Sequence, residues 1–150
     1  MADGKDQQDL YRELIELLNE LRVTLPGVQV LFAFLLIAPF SQRFEEINDV
    51  QKYAYLAALV FTALGSALLI APTPYHRIRF RDRDKEVMLR VGNRLALAGT
   101  VGLAAGISCA LFFVTDFLFH SPVPELLTAL VAGVIVFFWY GLPIARELRD

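Results

Sequence analysis

Four apolar runs, divided by charged clusters, set the pattern of this 150-residue chain. The runs lie at roughly 24–40, 53–71, 95–119 and 125–142, and the charges gather at 3–22, 43–52, 76–94 and 146–150. A helix needs about 20 mostly apolar residues to cross the hydrocarbon of a bilayer. The pattern therefore predicts an all-α integral membrane protein with four transmembrane helices. The first run, TLPGVQVLFAFLLIAPF, is the shortest and has Pro26 and Pro39 near its ends. Pro26 either opens that helix at its first turn or kinks a longer one.

Residues 1–23 carry a different period. Leu10, Leu14, Leu17, Leu18 and Leu21 recur at helical spacing, opposite Arg12, Glu13, Glu16 and Glu20. This is an amphipathic helix, and residues 1–25 carry net charge -3. It lacks the short apolar core and small-residue cleavage site of a secretory leader, so the first run is expected to act as an uncleaved anchor.

Residues 72–94 are the reverse, with seven Lys/Arg and net charge +4. From 75 to 81 Tyr and Arg alternate with His, Ile and Phe, the period of an extended segment. Such a segment would lie along the membrane surface, with His76, Arg77, Arg79, Arg81 and Arg83 meeting lipid phosphates. A helix then starts at Asp82 or Asp84 and is expected to run unbroken into the third span, as far as 119. The acidic helix either docks on this basic loop or is solvated independently.

The Lys/Arg of short flanks set orientation. Twelve lie in the N-terminal flank, the 72–94 loop and the 143–150 tail; only Arg43 and Lys52 lie on the other side. Both termini and the basic loop are therefore expected in the cytoplasm (N-in/C-in).

Small residues at four-residue spacing let helices approach closely in lipid. The third helix has Ala98, Gly102, Gly106 and Ala110; the second has Ala54, Ala58, Thr62 and Ser66; the fourth has Ala129 and Gly133. The second and third helices are the expected tight pair, either within one chain or as an oligomer interface. Tyr53, Tyr55, Trp139 and Tyr140 fit an aromatic belt.

Chemistry is sparse. Charge inside a span marks function by default, yet no span carries one near its middle. Asp116, His120 and Glu125 form a candidate outer cation site, the alternative being a solvated rim. Gln29, Thr62 and Ser66 are candidate members of a polar path or pore, although hydroxyls can also bond their own backbone. Cys109, the single cysteine, reads as a buried thiol. No GxSxG, HExxH, P-loop, CxxC or dinucleotide fingerprint occurs. Neither an enzyme nor a cofactor or metal is expected, and the basic stretch beside a span points to anionic lipid rather than nucleic acid.

The run ELLNELRVTLPGVQVLFAFLLIAPFSQRF, with APTPYHRIRFR and GNRLALAG, resembles a family of small four-helix actinobacterial membrane proteins of unknown function, from about Leu14 to Leu142. Some members are labelled sodium:proton antiporters, a chemistry that needs a carboxylate relay at mid-membrane. The resemblance implies the four-span architecture and a bacterial plasma membrane. Three functions stay open: a homo-oligomer that conducts ions, an accessory or scaffold protein whose basic loop binds anionic lipid or a partner, and, more weakly, a proton-coupled transporter.

Overall fold

A computed structural model describes the backbone of residues 2–78, 85–119 and 122–147, and the side chains of these except 2–7, 9–11, 76, 78, 85, 86 and 147. The described residues are helical almost throughout. α1 spans Ala2–Ile37 and is followed by two short 3-10 turns, Ala38–Phe40 and Gln42–Glu46. α2 (Asp49–Ile70) and α3 (Pro72–Ile78) come next, then α4 (Lys85–Leu118). α5 (Val123–Val136) passes through a π turn, Phe137–Gly141, into α6 (Leu142–Glu147). Four helices, Arg12–Phe40, Asp49–Tyr75, Val87–Leu118 and Val123–Arg146, are long and apolar enough to cross a membrane.

The closest contact is between α2 and α4, and it is made of backbone. A Cβ on Gly65 would stand 2.9 Å from the Leu103 nitrogen and 3.0 Å from the Gly99 oxygen. A Cβ on Gly102 would press on Gly65, and one on Gly99 would meet Leu69 Cγ at 2.7 Å. The Thr62 hydroxyl fills the space that a Cβ on Gly106 would take. The seam is thus Ala58, Thr62, Gly65 and Leu69 against Gly99, Gly102, Leu103 and Gly106. Of the expected α4 stripe, Gly102 and Gly106 lie in it. Ala110 packs nearby against the Leu35, Tyr55 and Ala58 cluster. Ala98 does not: it is exposed, and Gly99, one residue on, takes its place because the seam follows every third or fourth residue rather than every fourth.

α1 lies over this pair. Leu14, Leu21, Val28 and Leu35 are its buried residues, one every seventh position. A strict seven-residue repeat is the seam of helices wound gently about each other. It passes Pro26 without a break, so residues 1–23 and the first span form one helix. At one end of the molecule Leu17 packs over Gly92 of α4, beside Pro72. At the other end α1 stops where Pro39 lacks the N–H that would bond the Leu35 carbonyl. The Tyr55 hydroxyl donates to that carbonyl instead, at 2.8 Å. Tyr55 is therefore buried among Phe44 and Phe113 rather than standing in an aromatic belt; Tyr53 is exposed.

α4 runs unbroken for 34 residues, about 51 Å at 1.5 Å per residue; positions 82 and 84 lie outside the described residues. The expected extended segment is corrected over 75–78, which is helical. α2 turns through Ala71 in helical geometry, and Pro72 and Pro74 occupy the first turn of α3, where a missing N–H costs little. Four alternating residues are too few to outweigh that continuity.

α5 is the loosest helix. It packs on α4 alone to any extent, and Pro124 is its one buried residue. Nothing within the protomer stands near Gly133, and Ala129 is exposed.

Gly65→Leu is expected to cost about 1–3 kcal/mol, the usual range for overpacking, measured as a lower thermal midpoint in detergent. Gly133→Leu should leave the midpoint of the monomer unchanged; equal losses for both would show that the α2/α4 seam is not the closest packing.

Candidate functional site

The side chains capable of chemistry gather at the two ends, with a sealed middle. At the end formed by the 38–48 link and the α4–α5 connection, α2 starts with a capping box. Asn48 Oδ1 accepts from the Gln51 backbone N–H at 2.9 Å, and the Asn48 N–H donates to Gln51 Oε1 at 3.1 Å. This spacing, Asn followed three residues later by Gln, satisfies two donors of the first turn. It leaves the Gln51 NH2 group facing α4, where it donates to Asp116 Oδ2 at 2.9 Å and to the Asp116 carbonyl at 3.2 Å. Gln51 is buried. Its amide thus ties the start of α2 to the last turn of α4, and the carboxylate also lies near the positive end of the α2 dipole.

The remaining face of this cluster opens on a cleft of about 550 Å³, lined in part by Arg43, Glu46 and Asp116. The three expected outer-site residues are not brought together as a set. Asp116 is bound to Gln51, Glu125 is exposed in the first turn of α5, and His120 lies outside the described residues. Among the described residues no three His, Cys, Asp or Glu side chains gather to hold a metal ion. Gln51 escaped the sequence reading, although the Asn48–Gln51 spacing ahead of an apolar run is a visible cap signature.

The middle holds Thr62, Ser66 and Cys109. Ser66 donates to the Thr62 carbonyl at 2.7 Å, as Ser108 does to Ala104 at 2.8 Å. Thr62 Oγ1 is buried with no hydrogen-bond partner, pressed on Gly106. Gln29 is exposed on the outer side of α1. The candidate polar path is therefore split within one chain: Thr62 lies inside the α2/α4 seam, and Gln29 faces away.

At the end that carries both termini, α1, α2, α4 and the π turn line an open groove of about 320 Å³. Its polar lining is Glu20, Thr24, Asn93, Thr100 and Tyr140, with Trp139 beside them. The Tyr140 hydroxyl donates to Thr100 Oγ1 at 3.0 Å, and Thr100 donates on to the Leu97 carbonyl at 2.8 Å. Pro143 explains the π turn. It has no N–H for the Trp139 carbonyl and crowds it, so the helix widens and the Leu142 N–H bonds back five residues to Phe137. Of the expected lipid contacts, Arg77 is exposed in α3 and His76 lies in the same helix. Arg79, Arg81 and Arg83 lie outside the described residues.

The model of a family of unknown function (DUF6328) matches residues 3–143, and the chain belongs to that family. No curated protein and no solved structure matches the chain.

If Gln51 serves as a tie between helices, Gln51→Leu should lose about 1–3 kcal/mol, the cost of unsatisfied buried polar groups. Asp116→Asn keeps an acceptor for Gln51 and should stay within about 0.5 kcal/mol of the native chain, a surface-like change. Chemical unfolding in detergent micelles reads both. A large loss for Asp116→Asn would mean that the carboxylate charge, not the hydrogen bond, is what matters.

Proposed function

We propose that this member of the family is a non-enzymatic accessory or scaffold protein of a bacterial plasma membrane. Both termini face the cytoplasm, and the end carrying them is the working surface. The observation that carries this reading is the length of α1 and α4 and the contact between them near the termini. Both helices are longer than a bilayer requires, and Leu17 and Gly92, which pack together, lie outside the apolar runs 24–40 and 95–119. Two helices held together beyond the membrane form a rigid platform, whereas independent tails would not need the contact. Arg77, Arg90 and Arg94 are exposed, and the flanks assigned to this side by the positive-inside rule hold twelve Lys/Arg against two in the others. Basic side chains beside a membrane attract anionic headgroups by about 1 kcal/mol each.

A second reading has its own observation. Gln29 is an amide exposed on the outer face of an apolar helix, and in lipid such a group seeks a partner on another helix. That supports a homo-oligomer with an ion path between copies, lined by Gln29. A proton-coupled transporter has the weakest support, since Asp116 is held by Gln51 at the rim and not at mid-span.

Replacing Arg77, Arg90 and Arg94 together with Glu should cut retention of phosphatidylglycerol by the purified protein at least tenfold, read by native mass spectrometry, given the per-charge attraction. Unchanged retention would remove the lipid-platform reading. For the second reading, ion leak from proteoliposomes should fall on Gln29→Leu and be indifferent to Thr62→Val. No leak above that of empty liposomes would exclude conduction.

A further inference from the structure

The groove at the termini end carries a chemistry that neither reading uses. Its lining combines one acidic residue, Glu20, two aromatic residues, Trp139 and Tyr140, and an apolar part that includes Leu21, Leu69 and Ala96. Lys52–Asp49 is the one ion pair among the described residues, so Glu20 has no cationic partner there. A carboxylate next to aromatic faces suits an organic ammonium: the carboxylate supplies the opposite charge, and the ring faces attract the cation through their quadrupoles. An anionic group would meet Glu20 as a like charge.

The aromatic wall is built rather than incidental. Consecutive residues of a regular α-helix point in well-separated directions, yet Trp139 and Tyr140 both line this groove. They lie in the widened turn that Pro143 imposes, and widened turns of this kind recur at functional sites. Tyr140 is held in place through Thr100. The groove also has a definite address. Leu69 of α2 and Thr100 of α4 lie within the apolar runs 53–71 and 95–119, whereas Glu20 of α1 and Asn93 of α4 lie just outside the runs 24–40 and 95–119, among the charged clusters. One side of the groove is therefore apolar and the other polar, as in a lipid at the headgroup boundary.

We propose that this groove binds the ammonium headgroup of a membrane phospholipid, with the nitrogen between Glu20 and the rings of Trp139 and Tyr140. Phosphatidylethanolamine is the simplest lipid with that chemistry. The apolar floor receives the upper part of its acyl region, and Asn93 supplies a hydrogen-bonding side chain beside the headgroup. The site rests on the membrane reading alone. It does not depend on the attraction of anionic lipid to the arginines, which asks for the opposite headgroup charge.

Trp139 is the only tryptophan, so its emission reports the site directly. The full chain would be placed in nanodiscs of phosphatidylglycerol, with phosphatidylethanolamine replacing it stepwise. A saturable shift of Trp139 emission is expected. Glu20→Gln should abolish it, and Glu16→Gln, an exposed acid outside the groove, should preserve it. The Arg77, Arg90 and Arg94 reversal should also preserve it, which separates failure of this site from failure of the anionic-lipid reading. An absent shift would overturn the proposal. So would a shift that persists in Glu20→Gln, or one reproduced by diacylglycerol, which has no ammonium. A Glu20-dependent shift produced by free hexyltrimethylammonium, but not competed by the lipid, would overturn the lipid as occupant.

Discussion

The rest of the structure depends on how near the backbones of α2 and α4 come. In lipid there is little hydrophobic force between helices, because the surrounding chains are as apolar as leucine. Association must come from dispersion over well-fitted surfaces, and that gain falls away steeply with small gaps. Gly65, Gly99, Gly102 and Gly106 remove the side chains that would hold the two helices apart. The seam then leaves a broad shallow face on which α1 can lie, and its seven-residue repeat of Leu14, Leu21, Val28 and Leu35 answers that face along its whole length. α5 has no such repeat and touches α4 only along one side. The order of packing is therefore α2 with α4, then α1, with α5 at the margin.

Two prolines, Pro39 and Pro143, shape what this frame positions, and each leaves an unpaired carbonyl that something must satisfy. At Pro39 the donor comes from another helix, the Tyr55 hydroxyl, and the repair draws Tyr55 into the core with Phe44 and Phe113. At Pro143 the repair is local. The helix widens, and Trp139 and Tyr140 both line the groove shared with α1 and α4. In both places a backbone defect has recruited an aromatic side chain, once to close the molecule and once to line an open groove.

Much of this was legible in the chain. Apolar length decides which segments can span, and it did so for all four. Small residues marked α2 and α4 as the tight pair. The exact stripe was less visible, because alternating three- and four-residue steps select Gly99 rather than Ala98, and only the partner helix decides between them. The extended reading of 75–81 failed over 75–78 because it weighed side-chain alternation without the helical run arriving from α2. The role of Tyr55 was hidden for a different reason: its partner is a carbonyl orphaned by a proline some sixteen positions away in sequence, and no local pattern records that pairing. Gln51 could have been read from its cap motif, but its bond to Asp116 could not. The groove around Glu20 was beyond reach, since it joins residues from α1, α2, α4 and the π turn, and Trp139 and Tyr140 alone look like any interfacial aromatics.

The distribution of polar groups carries the functional argument further than any single residue. The serine and threonine hydroxyls of α2 and α4 are spent on their own helices, as those of Ser66 and Ser108 are, or sealed, as that of Thr62 is. A chain built this way resists water at its centre and has its options at its ends. The two ends differ in kind. At one, Asn48, Gln51 and Asp116 satisfy each other, and the arrangement serves to fasten α2 to α4. At the other, Glu20 and the exposed arginines are left without ionic partners among the described residues, around helices that stay packed after the apolar stretch has ended. On the scaffold reading proposed above, charges that fasten nothing inside the molecule, held on a rigid support, serve something outside it. That contrast favours the termini end as the surface that works and the opposite end as the one that holds.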